Sequence, residues 1–183
     1  MTLAPRRWAA DLLHHWFHTL RPADWFGPSC AVDEALRRRY LATWGALRTQ
    51  PAASFLTDPG TARAAILLFD QVPRNVFRND ARAYASDDLA AKLCREVLSR
   101  GWDAGLPDSR RQFVVMPLMH SEAIADQLAC VAYCATHLRG TLPFARSHYR
   151  AIARFGRFPH RNAVLGRHST PQERRAIEEG LAW

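Results

Sequence analysis

The segment DEALRRRYLATWGAL, Asp33 to Leu47, brings Leu36, Tyr40, Leu41 and Trp44 to one side at helical three-to-four spacing, with charged residues between them. Such spacing lines one face of a helix, whereas a half-buried strand needs strict alternation. Working outward, the same period recurs. Trp8 to Leu20 reads as a helix ended by Arg21-Pro22, followed by the turn Asp24 to Pro28 with two large aromatics, Trp25 and Phe26, to bury. Downstream, Pro59 starts a helix through Ala64-Ala65-Ile66-Leu67-Leu68-Phe69 to about Gln71, and Pro73 is expected to stop it. Ser86-Asp87-Asp88 starts a helix that Gly101 stops, and Asp108 or Ser109 caps a short one that ends before Pro117. Ser121 is expected to cap Glu122 to about Leu138, with Gly140 closing it. Leu142 to about Phe155 is helical, Gly156 to Gly166 irregular, and Thr170-Pro171-Gln172-Glu173 a capping box that opens a last helix to about Glu179. No alternating run argues for a sheet, so the fold class is all-α.

At 183 residues and 48% hydrophobic the chain has material for one substantial core, and a single helical domain over residues 1–183 is expected. The best apolar runs, Ala64 to Phe69 and Phe113 to Met119, are far too short for a transmembrane segment. Met1 to Leu20 holds Asp11 and three histidines with no cleavage pattern, so it reads as part of the fold and not as a signal peptide. The expected location is cytoplasmic, with Cys30, Cys94, Cys130 and Cys134 reduced.

Charge is unevenly spread. No acidic residue lies between Asp126 and Glu173, while Arg139, Arg146, Arg150, Arg154, Arg157, Arg161 and Arg167 fall in that gap and supply +7 of the formal +8. Arg146, Arg150, Arg154, Arg157 and Arg161 follow at intervals of four, four, three and four, and each like-charged pair at that spacing costs roughly 0.2–0.5 kcal/mol. Compensation must come from Asp70, Asp80, Glu122 or Asp126 brought near by folding, or from an anionic ligand held by guanidinium forks.

Three segments concentrate polar groups: Asp70-Gln71-Val72-Pro73-Arg74-Asn75-Val76-Phe77-Arg78, Pro117-Leu118-Met119-His120-Ser121-Glu122, and Arg154 to Arg167 with Arg157, His160, Arg161 and Asn162. These, with Trp25-Phe26 and Ser169-Thr170-Pro171, resemble the signature of the bacterial family known as domain of unknown function 924, from about Leu12 to Glu173. The resemblance implies an all-helical, tetratricopeptide-like array of antiparallel helices in one domain and carries no established activity. Gln172, where the family more usually has an acid, and the histidine-rich Leu13 to Phe17 depart from its pattern.

Two roles suit the three segments. Asp70 and Glu122 pair with Arg74, Arg78 or Arg161 in a buried network that fixes how helices meet, or the cluster also takes a ligand. The candidate ligand-binding set is Asp70, Gln71, Arg74, Asn75, Arg78, His120, Glu122, Arg154, Arg157, His160, Arg161 and Asn162. The first functional reading is a helical binding module for an anionic small molecule or acidic peptide. The alternative is an enzyme on a small anionic substrate, with His120 and Glu122 moving protons. Nucleic acid ranks below both, since no recognised motif is present, and attachment to a membrane surface ranks last. Cys130, Cys134 and His137 lack a fourth ligand, and His14 with His18 lacks the glutamate of a zinc motif; they read as core and surface pairs, and neither metal nor cofactor is expected.

Overall fold

The computed structural model describes residues 6–180, which form helices and, among those residues, no strand. They divide into two compact units. The first runs to Arg78 and resumes from Arg82 to Pro117; the second takes Asn79–Ala81 and continues from Leu118.

In the first unit, α1 (Arg7–His14) continues as a π turn, His15–Thr19, and α2 (Cys30–Leu47) starts on a Ser29 cap. Next, α3 (Pro59–Ile66) is capped by Asp58, whose carboxylate accepts the Thr61 N–H at 2.8 Å. A second π turn, Leu67–Gln71, leads into α4 (Val72–Val76), and α5 (Asp87–Ser99) follows. α1 and α5 pack on α3, and α2 on α4. Ala62 and Ala64 to Phe69 are at most 1% exposed, so the segment is enclosed on all sides. A helix apolar all round belongs at the centre of a core. Leu36, Tyr40 and Trp44 are buried as the α2 stripe predicts.

Two prolines do not do what the sequence leads one to expect. Pro73 does not end the helical run, which reaches Val76. The π turn breaks the α register ahead of it, so Pro73 falls in the first turn of α4, where a missing N–H costs little. Pro117 lies inside α6 (Asp108–His120) and does not terminate it. Phe113 to Met119 are all buried, and at about 1.5–3 kcal/mol per large apolar side chain that burial exceeds the ~3 kcal/mol proline penalty. The turn aromatics also differ from expectation. Trp25 is half-buried and donates its indole N–H to the Trp16 carbonyl at 2.9 Å, but Phe26 is 62% exposed.

In the second unit, α7 (Ile124–His137) packs on α8 (Leu142–Phe155). Ser121 stands before the N-cap, Ala123, and instead accepts the Ala123 N–H at 3.2 Å while donating to Asp126 at 2.7 Å. Cys130 and Cys134 are buried on α7, whereas Phe144 is exposed at the start of α8. Gly156 ends α8 with φ 69°, a left-handed cap that glycine adopts without a Cβ penalty. The loop contains a short 3-10 turn, Pro159–Arg161. Then α9 (Pro171–Glu178) opens on the predicted capping box, Thr170 with Glu173. No helix among the described residues is long and apolar enough to cross a membrane.

Candidate functional site

The first polar segment lies in the first unit; the third, and the second from Leu118 onward, lie in the other. Asp70 is fully buried, with Arg74 Nη1 at 3.3 Å. The same guanidinium grips Asp87 through two bonds of 2.8 and 2.9 Å and bonds the Asp70 carbonyl at 2.7 Å. Burial opposes the Arg74 charge, but Asp70 and Asp87 outweigh it, so its pKa is raised. Gln71 donates to Asp70 and lies against Met116, Asn75 donates to the Gln71 carbonyl at 3.1 Å, and Arg78 bridges Asn75 to Asp33. All five predicted residues of this segment thus join one ladder of bonds across α2, α4 and α5.

In the second unit Glu122 accepts the Phe158 N–H at 2.7 Å and a bidentate fork at 2.7 and 3.0 Å. The fork comes from Arg167, a residue outside the predicted set, and not from Arg161. Burial pulls the Glu122 pKa up, but Arg167 and the Phe158 amide hold it below its ordinary value. Arg157 bonds Glu173 at 2.7 and 3.0 Å and the His168 carbonyl at 2.9 Å. That fork, against the opposing effect of burial, drives the Glu173 pKa down to about 2. Asn162 is fully buried and donates to Ser169.

His120, His148, Phe158 and His160 form a chain of ring contacts, each between 5.6 and 6.2 Å, with the Arg161 guanidinium 4.3 Å over Phe158. Burial, then His120, pushes the His148 pKa down to about 3; burial, then Arg161, takes His160 to about 4. Both are therefore neutral at pH 7. Arg154, a member of the candidate ligand-binding set, does not join this group: it is exposed like Arg146 and Arg150 and stacks on its neighbour Phe155.

A concavity of about 270 Å³ in the first unit was not foreseen from the sequence. Its polar lining is His14, His18, Arg63 and Arg110; Leu13, Phe17, Leu67, Leu106, Phe113 and Val114 line most of the rest. Both π turns border it, because His14 immediately precedes one and Leu67 begins the other. Single π turns recur at functional sites. The His14 and His18 rings stack at 5.3 Å, and Arg110 Nη2 lies 3.2 Å from His18 Nε2. A guanidinium only donates, so that imidazole nitrogen accepts. Arg110 also lies over the Phe17 ring at 5.1 Å. The lining contains no carboxylate. Burial, and then Arg110, lower the Arg63 pKa; Asp58, whose carboxylate serves as the α3 cap, offsets this in part.

Groups of three or more side chains able to hold a metal ion are absent among the described residues. No curated protein matches the chain. A solved structure of a protein of unknown function from Agrobacterium tumefaciens is similar over 94% of this chain and 97% of its own, at 35% identity and a TM-score of 0.88. The family described as bacterial protein of unknown function (DUF924) matches residues 12–180, and the chain belongs to that family.

Proposed function

We propose that the protein is a helical binding module for a small anionic molecule, which it takes into the first-unit concavity between His14, His18, Arg63 and Arg110. One observation carries this reading: two guanidiniums and two imidazoles converge on one concavity that has no carboxylate in its lining. Holding Arg63 half-buried beside Arg110 works against the Arg63 charge, and a bound oxyanion reverses that cost by offering acceptors to both forks. The contrast with the other arginines supports it. Arg74, Arg78, Arg157 and Arg167 have their forks filled by Asp70 and Asp87, Asp33, Glu173 and Glu122, and in this reading they hold elements together. An acid/base role for Glu122 finds less support, because Arg167 locks the carboxylate and holds its pKa below the ordinary value.

Isothermal titration of the purified chain with acetate, phosphate, sulfate and longer carboxylates tests the proposal. Binding that disappears in Arg63→Ala and in Arg110→Ala, with helicity retained, is the expected result. Equal binding by wild type and both variants would move the anion site elsewhere.

A further inference from the structure

Resting on that anion-binding reading, we infer that the ligand is amphipathic: an oxyanion head, carboxylate or phosphate, on an apolar body about the size of a medium-length alkyl chain or a single aryl ring. The polar groups of the concavity are confined to four side chains, and most of its remaining wall is hydrocarbon or aromatic. A site for inorganic phosphate or sulfate has no use for such a wall, since a bare oxyanion loses hydration against it and gains nothing in return. An apolar body gains from the same surface at the usual rate per area removed from water.

The aromatic side is held rigidly. Phe113 contacts Phe17 at 5.8 Å and 64°, Trp16 at 5.6 Å and 86°, and Trp25 at 5.2 Å and 87°, while exposed Phe26 stacks parallel to it at 5.8 Å. Edge-to-face packing on several sides fixes the Phe113 ring, so the wall is preformed. Opposite charge is likewise placed in advance: Arg110 is steadied by the Phe17 face and by His18, and Arg63 projects from the rigid, enclosed α3. At about 270 Å³ the space is at the small end for organic ligands, which sets the size of the body.

Titrating the full chain with acetate, butyrate, hexanoate, octanoate, benzoate, octyl phosphate, inorganic phosphate and octanol separates head from body. Affinity is expected to rise about fourfold per buried methylene along the carboxylate series until the concavity is full. Octyl phosphate should exceed inorganic phosphate by at least tenfold, and octanol should bind at least tenfold more weakly than octanoate. Comparison of octanoate with octyl phosphate identifies the preferred head. Leu13→Asn, at a half-buried wall position, should flatten the chain-length series; Leu106→Asn repeats the test if the first variant misfolds. A flat series in the wild type, with simple anions bound as well as long ones, overturns the amphipathic ligand and leaves the anion site standing. Octanol binding as tightly as octanoate, or no binding at all, overturns both.

Discussion

The Ser86 hydroxyl donates to the Phe69 carbonyl at 2.7 Å, the carbonyl whose α-helical donor would be the N–H that Pro73 lacks. The Ser86 hydroxyl oxygen itself accepts the Trp44 indole N–H at 3.0 Å, and all of these groups are buried. One side chain thus serves a proline's missing donor and an aromatic of a different helix.

Ser86→Ala leaves a buried acceptor and a buried donor without their partner, and should destabilise the chain by about 1–3 kcal/mol in urea denaturation. In a Pro73→Ala background, where a backbone N–H becomes available to Phe69, the loss should be smaller. Equal losses in both backgrounds would break the link to Pro73.

The Arg63 charge is opposed by burial and by Arg110 when no anion is present. Arg63→Met keeps most of the stem and removes the charge, so the ligand-free melting temperature should rise by about 2–4 °C. The same variant should lose the upward shift that octanoate gives the wild type. A lower ligand-free melting temperature would show that the charge is favourable where it stands.

Acid should act on the second unit first through His148 and His160, whose folded pKa values are about 3 and about 4 against an ordinary 6.5. Between those limits the unfolded chain binds protons that the folded one refuses. Their contribution is therefore complete above about pH 6.5 and declines as pH falls, with a slope approaching about 1.4 kcal/mol per pH unit for each group. Denaturation at pH 7, 6 and 5 measures the slope, which His160→Gln should reduce. A pH-independent stability over that range would contradict the assignment.

Glu173 titrates in a lower window. Its folded pKa of about 2 lies below its ordinary 4.5, so its contribution is full above about pH 4.5 and disappears toward pH 2. The stability difference between wild type and Glu173→Gln should shrink across that range. A constant difference would mean that the Arg157 pairing contributes nothing through its charge.

How legible these features are in the sequence depends on how local their causes are. The Leu142–Phe155 helix and the Thr170–Glu173 box follow from neighbours, namely Gly156 at one end and a cap with its i+3 partner at the other. Pro73 and Pro117 mislead because no residue pattern beside them announces what rescues them: the π turn and the distant Ser86 in one case, burial of Phe113 to Met119 in the other. The predicted arginine-to-acid pairing is right in kind, and Asp70 does meet Arg74. Glu122, however, takes Arg167, since the fold of the Gly156 to Gly166 loop decides which guanidinium faces it. The concavity has no local signature. His18 and Arg110 are 92 positions apart, and Arg63 sits in a helix whose other residues announce only a core.

The two π turns give the concavity a dependence on chain length as well as residue type. Leu67–Gln71 amounts to one extra residue between two α-helical stretches, and His15–Thr19 widens the last turn of the α1 run before Leu20 leaves the helix. Deleting a single position between His14 and His18 would turn their i,i+4 relation into i,i+3 and move His18 both along and around the helix axis relative to His14. The His18–Arg110 contact at 3.2 Å would then have to form from a different position, although no lining residue had been substituted. Within the family, a one-residue difference in length at either turn should therefore mark which chains possess this pocket edge, even where the four polar residues are all present.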